Sequence, residues 1–558
     1  MMLPVRDNGR EREETKMRKY FAGIAAIALL AACSPGPAGN TGEDAATTPA
    51  AERRDPTITT PEQAAAALAA AAARPDRVPA APDIHPLSDE PAPWFVEPGD
   101  IPAFPGAEGF GRYAVGGRGG QVFKVTNLND SGPGSLREAV NAEGPRIVIF
   151  EVDGIIQLQS PLIIRNDFIT IAGQSAPGGG VTLRNYDLTI NANHVIIRHI
   201  RSRMGSESGH EDDAISIRGG QHIIVDHVST SWAIDENLSA SQSFDPERGG
   251  NHLSYVTVQW SIISEGLYDA GHEKGDRAYG SLIRGSHGAR YSWLNNLWAH
   301  NHSRMPRVGN YATPYMDPEG ILFDFRNNVF YNWGHGAETD FWNWTPARDS
   351  FDYTAAQGLV SDMLYGREGF DYHYAAGTDL DPASVARYNF INNAYVQGPQ
   401  TLGPVIFYMR NVTGRAFFEG NTVDGQLLPQ LNLVRSAAPD RTFVDRAFPA
   451  GEVTTVSAED AYERVLERAG ASFYRDAIDA RVIEEVRTRT GFIPDSADDV
   501  GGWVNVTQGE PRTDSNGNGI PDDWLIAQGI DPTGESRANE VDEDGYTLIE
   551  RWLNSLAD

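Results

Sequence analysis

Two arginines stand three residues apart in Ser303-Arg304-Met305-Pro306-Arg307, after an alternating apolar run that begins at Tyr291. That run, YSWLNNLWAH, reads as a strand. Proline fixes its own φ and pushes Met305 toward an extended backbone, so Arg304 and Arg307 are expected on a stiff strand end. Two forked guanidiniums there suit a carboxylate-rich ligand, since each can hold one carboxylate through two hydrogen bonds. The same pair would serve equally well in ordinary surface ion pairs. Acids gather at two other places: Asp212-Asp213 opens a strand, and Asp235-Glu236-Asn237 follows Trp232. On stacked coils, acids at corresponding strand ends could share a calcium, and the arginine two coils further on reaches the same face. Solvated turn acids are the plainer reading. A third set lies in the tail, where Asp514, Asn516 and Asn518 precede Gly519, with Asp522 and Asp523 following. Asp542 and Asp544 before Gly545 repeat the idea. Oxygen ligands at alternate positions followed by a turn-forming glycine suit Ca²⁺. Neither loop has the glutamate expected at loop position twelve; Leu525 and Arg551 stand there.

Such residues need a scaffold that brings distant segments together, and the chain carries one. Segments of similar pattern start at His194 (HVIIRHIRSR), His222 (HIIVDHVSTS), Tyr255, Tyr291, Phe323 (FDFRNNVFYN) and Tyr388 (YNFINNAYVQ). Self-similarity at this period, with no helical pattern between the strands, predicts a parallel β-helix with alternate residues turned inward. Asn295-Asn296, Asn327-Asn328 and Asn392-Asn393, with Asn421, recur at matching points and read as bend residues that bond from coil to coil. Residues 334–387 are aromatic and acidic. They are expected to loop over one face, either offering rings to sugars or simply packing on the coils. Residues 458–489 carry helical periodicity, broken near Gly470. The glycines of 103–136 lack the following Lys-Ser/Thr of a phosphate cradle and are read as tight turns.

The chain has 558 residues, one cysteine and a net charge of −30, which argues against nucleic-acid binding and rules out an intrachain disulfide framework. A polyanionic substrate would need local arginines or a bound cation to offset the general repulsion. A basic opening at Met17, a short apolar run over 21–32 and Leu30-Ala31-Ala32-Cys33 resemble a bacterial lipobox, with Cys33 as the lipidated residue. A plain secretory signal is the alternative. The expected layout is therefore a signal segment over 1–33 and an Ala/Pro-rich tether over 34–100. A β-helix over 101–427, a helical extension over 428–510 and a calcium-loop tail over 511–558 follow.

Several motifs together make the chain resemble the pectate lyases of polysaccharide lyase family one: VTNLNDSGPGSLREAV, ITIAGQSAPGGG, DAISIRGGQHIIVDH and SRMPR after His-Asn. VGGWV with the tail loops is similar to the C-terminal extension of bacterial members. The resemblance implies an all-β, right-handed parallel β-helix that cleaves polygalacturonate by calcium-assisted β-elimination. By that resemblance Asp213 and Asp235 are calcium ligands, Arg304 is the catalytic arginine, and Arg307 holds substrate or supports the site. Three positions depart from the pattern. Ser239 replaces a third acid, for which Glu236 could substitute. No lysine stands in register before Gly280-Ser281, leaving Lys274, Arg277 or Arg284 to replace it. Gly309 stands where a further arginine is usual. The implied partner is an acidic polysaccharide, and the implied location is the bacterial envelope, lipid-anchored, as a monomer. Two other readings stay open: a glycoside hydrolase on the same fold, which would need a carboxylate pair, and a non-catalytic glycan-binding protein.

Overall fold

From Arg146 the chain repeats one cycle of strand, tight bend, strand, second bend, strand and return. Apart from a closing antiparallel hairpin in the second sheet, each strand pairs in parallel with its counterpart one cycle later, so three long sheets form a right-handed parallel β-helix with a small helical C-terminal part. The first sheet runs from Gln121–Val125 to Arg415–Glu419. The second runs from Gly154–Gln157 to Gln426–Leu427, and the third from Leu162–Ile164 to Val434–Ser436. The structure, a computed structural model, describes residues 101–557 except 243–252, 310–318, 334–341, 345–385, 402–405, 410–413 and 437–442. The expectations for Cys33, for the segments before residue 101 and for most of the aromatic insertion lie outside the described residues.

The bend from first to second sheet explains the paired asparagines. The run from Tyr291, expected as one strand, is two: Ala289–Leu294 in the first sheet and Leu297–Ala299 in the second. Asn295 between them has φ 56°, as has Asn327, and Asn392 has φ 52°. A left-handed residue turns the chain sharply, and asparagine tolerates it better than most side chains do. The second asparagine of each pair is buried and builds a ladder. Asn296 Nδ2 donates to Asn328 Oδ1 (3.2 Å), Asn328 Nδ2 to Asn393 Oδ1 (2.9 Å) and Asn393 Nδ2 to Asn421 Oδ1 (2.9 Å). Asn328 Oδ1 also accepts the Asn296 backbone N–H, and its Nδ2 donates to the Trp293 carbonyl. The ladder satisfies polar groups that would otherwise be stranded inside the coil.

Inward residues alternate along each strand and stack into columns. Phe325, Phe390 and Phe418 lie with ring centroids 5.1 and 4.7 Å apart, and Trp298, Phe330 and Tyr395 at 4.8 and 4.7 Å. At the N-terminal end a short helix unforeseen in the sequence, α1 (Leu136–Asn141), turns Leu136, Ala139 and Val140 into the core. Buried Arg146 donates to five carbonyl oxygens around it, including those of Ala139 and Val140.

The outer faces are covered unevenly. Helices α2 (Ala458–Arg468) and α3 (Ala477–Thr488), separated at Gly470 with φ 84°, lay Val465, Leu466, Val482 and Val486 along the second sheet over Ile262, Leu297 and Val329. The tail, with α4 (Asp522–Ala527) and α5 (Leu548–Ser555), covers outward Ile147 and Ile149 of the first sheet with Leu525, Ile549 and Trp552. Phe104, Ala107 and Ala114 cover Ile196 and Ile224 of the same sheet. The third sheet is polar over part of its outer face as well. One of its outward columns runs Thr189, Ser216, Ser239, Leu282, Arg307, with inward Ile217, Ala240, Ile283 and Val308 one residue further along.

Asn328→Ala strands the Asn296 N–H and the Trp293 carbonyl. It is expected to cost about 2–4 kcal/mol, read as a lowered urea midpoint with an unchanged slope.

Candidate functional site

The second bend of each cycle, which carries the chain from second to third sheet, gathers the acids and arginines. Four successive bends matter: residues 204–214, 232–237, 265–281 and 300–306. Parallel bridges align Glu236 with Tyr279 and Tyr279 with Ser303, and the Ala214 N–H donates to the Glu236 carbonyl (3.0 Å). Residues far apart in sequence are thereby stacked at coil spacing. A second set of buried amides locks the bends. Asn237 Nδ2 donates to Asn301 Oδ1 (2.8 Å) and to the Ser264 carbonyl (2.9 Å), and Asn301 Nδ2 donates to the Ile263 carbonyl (2.9 Å).

Asp213, Asp235 and Glu236 converge here, each offering a carboxylate oxygen within 4.8 Å of the others. Asp213 is 8% exposed and Glu236 2%. Ser216 Oγ donates to Asp213 Oδ2 (3.0 Å), and the Glu236 N–H donates to Asp213 Oδ1 (3.3 Å). Burial pushes the Asp213 carboxyl well above the usual range. The neighbouring charges of Asp212 and Asp235 add to this, while Arg218 and Ser216 oppose it. Asp235 Oδ1 is buried without a hydrogen bond, with Arg277 Nε 3.6 Å away. Crowded carboxylates and an unbonded buried oxygen form a donor set that fits a hard cation such as calcium. Ser239 is not in the group; its hydroxyl accepts the Leu282 N–H (3.0 Å).

Arg304 lies in the bend two coils beyond Asp235-Glu236, with φ 55°. Its Nη1 pairs with Glu236 Oε1, and its guanidinium carbon lies 3.9 Å from the Tyr279 ring centroid. Arg307 is in the third-sheet strand Arg307–Gly309 and is 7% exposed. Arg284 also faces outward from the third sheet, and its Nε donates to Ser241 Oγ (2.7 Å). Of the residues proposed to replace the lysine, Arg277 reaches the cluster, whereas Lys274 is exposed on the loop before it. The slot before Gly280 is filled by Tyr279, which a search confined to cations passes over. His272, also missed, is 7% exposed, with Nδ1 3.2 Å from Glu211 Oε2 and Nε2 3.7 Å from Asp235 Oδ2. No spacing in the sequence marks it.

Other clusters of cation-type ligands among the described residues also have protein partners. His199, Asp226 and His227 lie close together, but the imidazoles are stacked at 4.8 Å and 21°, which sends their lone pairs side by side instead of to one point. Asp226 there is taken by Arg198 Nε (2.9 Å) and Gln259 Nε2 (2.8 Å). Asp187 accepts from Thr189 and pairs with His210 Nε2 (2.8 Å). In the tail, Asp514 pairs with Lys124 and accepts the N–H of Asn518 and Gly519. Asn516 accepts from Asn518 N–H, Asn518 from Ile520 N–H, and Asp522 from Ser515. Asp542 accepts the N–H of Asp544 and Tyr546 and pairs with Arg551 (3.1 Å).

A carboxyl whose folded pKa is raised adds stability only at low pH, and that contribution is lost as pH rises through the folded value. Asp213→Asn removes the repulsion present at neutral pH. In chelator at pH 7 the variant is expected to melt a few degrees above the parent, with the difference shrinking toward pH 4, as followed by thermal denaturation.

No family model matches the chain. Curated relatives do. It is 34% identical over 464 residues to "Probable pectate lyase C" of Aspergillus flavus, across 81% of this chain and 94% of that protein. It is 28% identical over 326 residues to "Probable pectate lyase 5" of Arabidopsis thaliana, across 50% of this chain and 75% of that one. A solved pectate lyase bound to a hexasaccharide aligns at a TM-score of 0.43 and 14% identity, over 68% of this chain and 99% of that one, a likeness too loose to bear on the site. The match to the Aspergillus protein, nearly end to end on that relative, shows that this chain belongs to the pectate lyase family and is a polysaccharide lyase.

Proposed function

We propose that the protein cleaves polygalacturonate by calcium-dependent β-elimination, releasing unsaturated oligogalacturonides. The observation that supports this most is the placing of Arg304 against a cluster of three carboxylates, beside a sheet face that is polar and carries Arg307 and Arg284. Asp213, Asp235 and Glu236 would hold the calcium. When bound, it supplies positive charge that neutralises a uronate carboxylate and makes the adjacent C5 proton more acidic. Arg307 and Arg284 are suited to bind further carboxylates along the polymer, with Arg277 at the edge of the cluster. Arg304 is the group that takes the C5 proton. Its pairing with Glu236 favours the protonated guanidinium, so it has to leave that pair before it can act as a base. Elimination then breaks the C4–O bond, the leaving oxygen takes a proton from water, and a C4–C5 double bond remains. Local cations make the reading compatible with a net charge of −30, because distant charges are screened beyond roughly 8–10 Å.

The same proposal includes an exported, lipid-anchored bacterial protein, which the order of basic, apolar and small residues before Cys33 supports. It also includes tail loops that bind calcium for stability. The tail covers Ile147 and Ile149, so deleting it would expose core, and substitution is the cleaner test. Asp542→Asn is expected to reduce the drop in melting temperature that chelator causes in Arg304→Ala protein. An unchanged chelator effect counts against that loop.

The decisive assay follows ultraviolet absorbance of unsaturated product on polygalacturonate, with calcium, with chelator, and with Arg304→Ala. Signal is expected only with calcium and the intact arginine, and Arg304→Ala should lower kcat at least about a hundredfold. New reducing ends without absorbance would instead identify a hydrolase.

A further inference from the structure

We propose that Tyr279 is the positioning residue of Arg304, an aromatic platform that fixes the height and plane of the guanidinium above the carboxylate cluster. The inference rests on the reading of Arg304 as the base. Tyr279 is itself held on every side. Its N–H donates to the Asp235 carbonyl (3.3 Å), its carbonyl accepts the Asn237 N–H (3.0 Å), and it bridges Glu236 on one coil to Ser303 on the next. Its phenol oxygen accepts from Arg277 Nη1 (2.9 Å), and Arg277 Nε lies 3.6 Å from Asp235 Oδ1. On this fixed ring sits the Arg304 guanidinium at 3.9 Å, while the Arg304 carbonyl accepts the Ser281 N–H (2.6 Å). Arginine has a long, rotatable side chain, and a flat aromatic face suits its flat head group.

The ring contact does something that the Glu236 pair cannot. The pair depends on the carboxylate being available, whereas the contact of the guanidinium over the ring, 3.9 Å from its centroid, keeps its dispersion part whatever Glu236 engages and whether or not the guanidinium holds its extra proton. Tyr279 therefore keeps Arg304 at its post when the Glu236 pair opens. A lysine in the same slot would repel Arg304 instead. Arg277, tied to both the phenol and Asp235, carries the position of the carboxylate cluster through to the platform.

Two variants and two readouts test this. Tyr279→Leu removes the ring; Tyr279→Phe keeps it and removes only the hydroxyl. The residue is half-exposed, so both are expected to fold, which circular dichroism checks. Tyr279→Leu should lower kcat about tenfold to a hundredfold with KM within about twofold, and Tyr279→Phe should recover most of that loss. Independently of turnover, phenylglyoxal labelling at Arg304, followed by peptide mass spectrometry, should run about two- to fivefold faster in Tyr279→Leu and near the parent rate in Tyr279→Phe. Parental labelling in Tyr279→Leu would overturn the platform even if the enzyme turned out to act on nothing tested. So would a loss confined to KM, or a Tyr279→Phe protein as impaired as Tyr279→Leu. Absence of all lyase activity in the parent, with labelling still faster in Tyr279→Leu, would sink the reaction and keep the platform.

Discussion

Parallel pairing between coils is the constraint from which the rest follows. It obliges each residue to lie over its counterpart in the coil before, so any side chain useful at one bend is repeated in space at the next. The asparagine ladder of the first bend exploits this with one residue type: each amide satisfies the coil on either side, and buried polarity becomes a source of register. The second bend uses the same stacking with different residues. There the column reads carboxylate, carboxylate, aromatic, arginine, and opposite chemistries meet because the coils leave them nowhere else to go.

That column also explains how an acidic protein can serve a polyanion. The acids are crowded inside the bend, where burial makes Asp213 resist ionisation, and the arginines line the neighbouring sheet face. The first and second sheets carry apolar outward patches hidden under the tail, the N-terminal segment and two helices, in the same columns as polar residues such as Thr257, Ser292 and Arg201. The third sheet carries serine, threonine and arginine along its outward column.

The coil architecture was legible because the first-sheet strand, the tight bend and the second-sheet strand are contiguous and nearly constant in length, as in the segments from His194, His222 and Tyr291. The strand that Asp212-Asp213 opens was legible, but the later strands of the third sheet were not. Bends of very different length precede Leu238, Leu282 and Arg307, so no period links them. Asp213, Asp235, Arg304 and Arg307 could be picked out by residue type and neighbouring motif. Glu236 was foreseen as a stand-in for an acid at Ser239, and the structure does bring it to Asp213 and Asp235. Tyr279 and His272 escaped, because their roles depend on partners in other coils and neither residue type announces them. Helix α1 escaped for a related reason. Its six residues are too few for periodicity to show, and its apolar face is defined by the open end of the coil that it covers.

The tail's seat on the first sheet has a consequence for the order in which the molecule can be completed. Ile147 and Ile149 belong to one of the earliest coils, yet the residues that cover them, Leu525, Ile549 and Trp552, come far later in the chain. Arg118 with Glu550 and Lys124 with Asp514 stitch the same two regions together by charge. A folding chain can stack coil upon coil from contacts near in sequence, but its opening coils keep an oily flank until the tail docks. The solenoid is thus sealed where it begins, by a segment whose seat exists only once the first coils have formed.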